Sequence, residues 1–247
     1  KNGINLTIEG DLVSKPYLDA TIATMRKFGV TVQTLIPYKR YNITPQIYKD
    51  ASFTVPIDFS SLALLLSAAV LNGEEIIIKG DLGTLPQGDE VFLDILEQLG
   101  VTVIINEDEI KIKSPEKLNG GKFDLSNSPD LLPPLAILAL NTSNPIEITN
   151  VKHARLKETD RIAIVSREII KLGIKVQEKE DGLILESTEN LNGAELNSEN
   201  DHRLFMAFCI AGMYVGDCTV SDPESVNVSY PNFIEEMNNL GAKIKVQ

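Results

Sequence analysis

Four times in this 247-residue chain an apolar helical stretch ends in a large apolar residue and a glycine, and a β-type run follows. The stretches are Met25-Arg-Lys-Phe-Gly29-Val-Thr-Val, Leu96-Glu-Gln-Leu-Gly100-Val-Thr-Val, Ile170-Lys-Leu-Gly173-Ile-Lys-Val and Met237-Asn-Asn-Leu-Gly241-Ala-Lys-Ile. Their glycines lie 71, 73 and 68 residues apart. A fixed period of this length marks a chain built from repeated supersecondary units. Glycine suits the position because it takes the left-handed conformation that ends a helix and turns the chain into a strand.

Apolar periodicity and capping residues assign each unit the order βαβαββ. In the second unit we expect a strand at 52–55, a cap at Asp58-Phe-Ser-Ser61, a helix at 62–71, a strand at 75–79, a turn and cap at Gln87-Gly-Asp89 and a helix at 91–99. In the third the expected order is a strand near 122–125, the turn Asn127-Ser-Pro-Asp130, a helix from Pro133 or Pro134 to 140 and a strand at 146–149. Its second helix opens with the stretch 153–162. The fourth offers a strand at 194–196, a cap at Asn200-Asp201, a helix to Met213, a strand at 218–220 and a helix after Tyr230-Pro231, and it stops at Gln247 just after one more strand. Further β runs at 39–44, 107–112 and 180–185 follow the glycine strands, the last two as hairpins. The first unit begins at its middle strand, 5–9, and its helix starts at Ser14-Lys-Pro-Tyr17, with Ser14 as cap and Pro16 in the first turn. Long loops are not expected. The seam falls at Val55-Pro56-Ile57-Asp58, so residues 1–55 form a partial unit of one domain and 56–247 a domain of three units, in an α/β (α+β) class.

Composition narrows the partners. Lys and Arg total 23 against 35 Asp and Glu, a formal net charge of −12 with no basic run, which argues against nucleic acid. No apolar stretch approaches a membrane span, and no signal peptide is evident, so no membrane partner is expected. Cys209 and Cys218 lack ligand spacing, which argues against a disulfide framework or a metal site and fits a reducing cytoplasm. A small anionic ligand is repelled by the overall field, so its site must be locally positive through specific cations and helix N-termini.

The densest chemistry lies in His153-Ala-Arg-Leu-Lys-Glu-Thr-Asp-Arg-Ile162. Read as a helix start, it puts Lys157 and Arg161 on one face, with Glu158 and Asp160 beside them. From composition alone a solvated helix start, capped by Thr159 or Asp160, is the stronger reading. Asp58 with Ser60, Asp130, and Asp201-His202-Arg203 also fall at helix starts, and a symmetric packing of the units would bring all of these together. Singly they have plainer readings: Asp201 as a cap, His202 as a partly buried polar residue, Arg203 as an ion-pair partner, Asp130 as a turn residue and Cys209 as core. His153 fits a satisfied hydrogen-bonding residue as well as a ligand contact, and its neighbours favour the contact.

Five stretches, in order, carry a resemblance: Leu12-Val-Ser-Lys-Pro-Tyr-Leu-Asp19, Pro129-Asp130, Leu156-Lys-Glu-Thr-Asp-Arg161, Asn200-Asp-His-Arg203 and Ser229-Tyr-Pro-Asn-Phe233. Together they resemble the signatures of the 5-enolpyruvylshikimate-3-phosphate synthase family. The resemblance implies an inside-out α/β domain of the enolpyruvyl-transferase type plus part of a second. It implies an addition-elimination reaction in which the 5-hydroxyl of shikimate 3-phosphate attacks C2 of phosphoenolpyruvate, C3 is protonated and phosphate leaves, with no metal or organic cofactor. Carried over by motif, Asp130 binds the sugar-like hydroxyls and acts as base. Glu158 exchanges the proton at C3, Lys157 contacts the shikimate phosphate and assists proton transfer, and Arg161 and Arg203 clamp phosphoenolpyruvate. The resemblance also implies a place in the shikimate pathway of aromatic amino-acid biosynthesis, and a cytoplasmic monomer is expected.

This sequence departs from the pattern in three ways. Val228 stands where the family usually has a lysine, removing one phosphoenolpyruvate cation, and His153 stands where Asn is frequent. The family's stretches that complete both substrate sites have no counterpart here, so the missing N-terminal half is an expected partner and residues 1–247 alone are not expected to be a competent enzyme. Two alternatives remain: an enzyme like UDP-N-acetylglucosamine enolpyruvyl transferase, which lacks the Lys-Glu-Thr-Asp-Arg and Asp-His-Arg patterns, and a non-catalytic anion-binding or assembly module.

Overall fold

The repeat glycines behave alike in three dimensions. In the computed structural model, which describes residues 2–73, 75–83 and 85–246, Gly29, Gly100, Gly173 and Gly241 have φ of 77°, 92°, 100° and 105°. A side chain there would be strained, which is why the four helix ends share this residue.

Three ladders of three or four strands form, antiparallel except for one edge strand. The first joins β1 (Ile4–Thr7), β3 (Arg40–Ile43) and β2 (Gln33–Ile36) in the order β1-β3-β2. The second joins β4 (Glu75–Lys79), β6 (Glu109–Lys113) and β5 (Thr102–Ile105) in the order β4-β6-β5. In it the central Ile110 and Ile112 oppose Ile78 and Ile76 on one side, and Ile105 and Val103 on the other. The third has the order β7-β8-β10-β9, from β7 (Gly121–Asp124), β8 (Ile146–Thr149), β9 (Lys175–Lys179) and β10 (Gly182–Glu186), with β7 added parallel to β8. The short strands β11 (Glu195–Leu196) and β12 (Thr219–Val220) pair in parallel.

Three helices form the centre, with the ladders outside them. They are α2 (Phe59–Leu71), α4 (Leu132–Leu138) and α6 (His202–Val215), following α1 (Lys15–Lys27), α3 (Val91–Gln98) and α5 (Arg161–Ile169) in chain order as the numbering implies, with α7 (Phe233–Asn239) last. α2, α4 and α6 pack on one another. Every residue of α4 is buried, as are Leu204 to Ala211 of α6. A helix apolar all round has no face for water and goes to the middle. α3 and α5 are amphipathic and lie at the periphery, burying Phe92, Leu93, Ile95 and Leu96, and Ile162, Ile164, Val165 and Ile169.

Several sequence expectations need correction. No strand forms at 52–55; residues 44–58 run irregularly from β3 to α2, a long loop where none was expected. That stretch has no ladder partner, Pro56 lacks an N–H, and Val55 is exposed. The strand expected after Gly241 is also absent from residues 242–246, which are held instead by Ala242 N–H on the Met237 carbonyl and Ile244 N–H on Asn238 Oδ1; Gln247 lies outside the described residues. Ser14 sits at the cap position of α1 but its side chain caps nothing. The backbone N–H of Ser14 donates to the Ser126 carbonyl and that of Lys15 to Asn127 Oδ1, which ties this helix start to the loop before Asp130.

Candidate active site

The stretch 153–162 does not form the continuous helix start expected of it. Lys152–Leu156 is a 3₁₀ segment, Lys157 turns to extended backbone, and α5 begins only at Arg161, with Asp160 as its cap. Lys157 and Arg161 therefore do not share a helix face. The reason is local: Asp160 accepts the Ala163 N–H at 3.0 Å and also holds Arg155, so it stops the helix from extending backwards. Lys157 and Glu158 lie in the break, where their side chains reach different partners.

Arg161 is the hub of the site. It is fully buried, and every nitrogen of its guanidinium donates to a carboxylate. Nε bonds Asp201 Oδ2 at 2.7 Å, Nη1 bonds Asp130 Oδ1 at 2.7 Å, and Nη2 bonds Glu158 Oε2 at 2.6 Å and Asp201 Oδ1 at 3.2 Å. Burial works against the charge, but hydrogen bonding and attraction from Asp201, with Asp130 and Glu158, hold it above its usual pKa. A buried charge of this kind is tolerable only when its donors are satisfied.

Asp130 is the other hub. Besides Arg161 it accepts from Tyr17 Oη at 3.1 Å, and it lies 3.3 Å from Lys157 Nζ and 3.3 Å from Arg203 Nη2. Burial alone would push its carboxyl up; Arg203, Arg161 and Lys157 outweigh that and hold it down at about 2. It is thus ionised at neutral pH. Burial and the Asp89 and Asp130 carboxylates push the Tyr17 hydroxyl well up, so it stays a protonated donor. Lys157 Nζ lies 5.9 Å from the Tyr17 ring centroid.

Asp201 joins the starts of two helices. It caps α6 by accepting the Arg203 and Leu204 N–H groups at 3.0 and 3.3 Å, while its other oxygen takes Arg161 and Thr159. Asp58 caps α2 through Ser60 N–H at 3.0 Å, and the Ser60 hydroxyl donates to Asp89. So the helix starts do converge. The expected pool of free helix N–H groups is reduced there, because Asp58, Asp160 and Asp201 already take N–H groups of α2, α5 and α6, and the prolines of α4 have none to offer.

Buried nitrogens without partners are what remain for an anion. Arg203 Nη1 and His153 Nε2 are buried and make no hydrogen bond. Burial, then the Lys157 charge, pushes the His153 pKa down, so it is neutral; burial, then Arg203, does the same to His202. Glu158 is half-exposed, and Val228, where a lysine was expected, is exposed at the end of a 3₁₀ segment, Pro223–Val228. Asp130, Lys157, Glu158, Arg161 and Arg203 are therefore in one bonded cluster. Tyr17, on Asp130, and Thr159, on Asp201, are bonded to it as well, while Asp89 lies beside it and bonds only Ser60; none of the three was assigned to the site from sequence. Tyr17 was inside a recognised signature, and Asp89 was noted only as a helix cap.

The family profile described as EPSP synthase (3-phosphoshikimate 1-carboxyvinyltransferase) matches residues 1–237. A 3-phosphoshikimate 1-carboxyvinyltransferase of Nitrosopumilus maritimus is 83% identical over 245 residues, covering 99% of this chain and 58% of that protein. One from Methanococcus maripaludis is 39% identical over 239 residues, covering 95% of this chain and 56% of its own length. Among solved structures, EPSP synthase from Acinetobacter baumannii superposes with a TM-score of 0.80 at 24% identity, over 100% of this chain and 58% of that one. The enolpyruvyl transferase NikO from Streptomyces tendae gives 0.74 at 19% identity, over 99% and 57%, a likeness of fold. The chain spans between half and two thirds of the length of these relatives, and over that span it belongs to the EPSP synthase (3-phosphoshikimate 1-carboxyvinyltransferase) family.

Proposed function

We propose that this chain supplies one wall of an enzyme that transfers the enolpyruvyl group of phosphoenolpyruvate to the 5-hydroxyl of shikimate 3-phosphate. The observation that carries the reading is the bonded cluster of Asp130, Lys157, Glu158, Arg161 and Arg203, drawn from three of the signature stretches. The chemistry needs a base near the hydroxyl, an acid near C3 and cations around a phosphate and a carboxylate. Asp130 takes the first role, Glu158 the second, and Lys157, Arg203 and Arg161 the third. The shikimate hydroxyl oxygen bonds to C2 while C3 gains a proton; the adduct then loses phosphate and a C3 proton.

Two features of the cluster bear on how it would work. A carboxyl held at about 2 is a weak base, so Asp130 becomes useful only once anionic substrates neutralise Arg203 and Lys157. Glu158 occupies the Arg161 fork that a substrate carboxylate needs. Substrate binding at Arg161 would displace Glu158 and leave it free to serve C3.

The organisation follows the same reading. Residues 1–55 belong to one domain and 56–247 to another made of repeated units, with the missing N-terminal half supplying the facing wall. A cytoplasmic, monomeric protein suits the free Cys209 and Cys218; no described helix is long and apolar enough to cross a membrane. The test is phosphate release that depends on shikimate 3-phosphate, measured on this chain joined to the upstream part of its relatives. Glu158→Gln should lower turnover at least about a hundredfold, the usual size of an acid-base contribution. Intact turnover in that variant would remove the assignment.

A further inference from the structure

Asp89 lies outside the roles just described, yet it is one of the most deeply buried carboxylates in the chain, 2% exposed. It sits in the 3₁₀ turn Gly88–Glu90, and that turn is fixed from both sides. Gln87 accepts the Phe59 N–H and donates to the Ile57 carbonyl, tying the turn to the start of α2. On the other side Ser128 Oγ donates to the Gly88 carbonyl at 2.6 Å, tying it to the loop that carries Asp130. Gly88 is packed so closely against Asn127 and Pro16 that a Cβ there would lie 2.7 Å from the Asn127 carbonyl oxygen. The chain thus holds Asp89 in place from three elements.

What it holds there is an incomplete contact. Asp89 Oδ2 accepts from Ser60, but Oδ1 is buried with no partner. Arg203 shows the complement: Nη2 reaches Asp130, while Nη1 is buried with no acceptor. Buried polar atoms are rarely left unpaired, and here one acceptor and one donor are unpaired in the same charged cluster. We propose that Asp89 is a positioning residue for Arg203, pairing Oδ1 with Nη1 directly or through one water when an anionic ligand is bound. Asp130 then steers one edge of the guanidinium and Asp89 the other.

The groups facing Asp89 give the pairing a pH dependence. They are Ser60 and Asp58 from α2, Asp130, Arg203 from α6, and Tyr17 from α1. Burial pushes its carboxyl up to about 6, against the Ser60 hydrogen bond and Arg203. A proton on Asp89 removes the charge that Arg203 would meet, so anion affinity should weaken as the pH falls through that region.

The identity of the ligand rests on the proposed function, but the coupling does not. On this chain, carbon NMR titration of the Asp89 carboxyl should give a midpoint near the value above, moving upward in Arg203→Gln, where the neighbouring charge is gone. An unmoved midpoint would overturn the proposal even if no substrate binds. On the chain joined to the upstream part of its relatives, Asp89→Asn should weaken phosphoenolpyruvate binding about tenfold, the worth of one charge-assisted hydrogen bond. It should leave shikimate 3-phosphate binding unchanged, abolish the affinity loss near pH 6, and add nothing in an Arg203→Gln background. Equal losses in both backgrounds, or wild-type affinity in Asp89→Asn, would count against it. Ser60→Ala keeps the Asp89 charge and should shift the pH of the affinity loss upward; an unshifted profile would also count against it.

Discussion

Residues 2–55 and residues 56–246 use the same parts and end differently. Both contain a helix closed by a left-handed glycine and an antiparallel ladder. In the first region α1 buries no residue, β1 and β2 are exposed along their whole length, and the buried apolar residues are Val30, Val32 and Tyr41. Ile4, Leu6, Leu35 and Ile36 remain in water. In the second region α2, α4 and α6 cover one another and close a continuous core. Among the described residues the apolar faces of the first region stay open, whereas α2, α4 and α6 cover each other. The difference shows that a repeat specifies local structure while burial comes from neighbouring copies.

The largest break in this contrast should come from Arg161→Met. It leaves buried Asp201 without its cation and takes from Asp130 one of its three, and should destabilise the second region by about 4 kcal/mol in urea unfolding. A loss below about 1 kcal/mol would mean the carboxylates are not held as ions. Next, Leu135→Ala, at a fully buried position, should cost about 3 kcal/mol, whereas Leu35→Ala, half-exposed on β2, should cost less than about 1 kcal/mol. Equal costs would show that the first region has a covered face in solution.

Acid should act on the second region through Asp130. Its carboxyl is held at about 2, below its ordinary value of 3.8, so it contributes stability above pH 4 that is lost as the pH falls towards 2. The loss should be about 2 kcal/mol, read from urea midpoints across that range, and Asp130→Asn should flatten it. The smallest effect compares two caps. Asp58→Ala removes a side chain that holds Ser60 N–H and should cost about 1 kcal/mol, while Ser14→Ala, whose hydroxyl caps nothing, should change thermal stability by less than about 0.5 kcal/mol.

The legible parts of the sequence were those with local causes. The repeat glycines, the helices at 62–71 and 91–99, and the caps at Asp58 and Asp201 follow from periodicity and from side chains that satisfy their own backbone. Failures had two causes, a distant one at 52–55 and a local one, a late cap, at 153–162. Residues 52–55 look like a strand but have no ladder to join. The stretch 153–162 looks like one helix, but Asp160 caps it late, and the break it leaves lets Lys157 reach Asp130 while Glu158 reaches Arg161.

The sequence by itself determined the repeat, the family and five charged residues that the fold brings together, Asp130, Lys157, Glu158, Arg161 and Arg203, but not the place of Asp89 beside them. Local propensity and ordered motifs are properties of the chain and need no third dimension. Tertiary structure alone decided how those charges pair: that Arg161 is wholly enclosed by carboxylates, that Tyr17 from the first region closes on Asp130, and that Asp89 and Arg203 each keep one buried atom unmatched. Those outcomes depend on which groups lose water together, and desolvation is set by packing between units far apart in the chain.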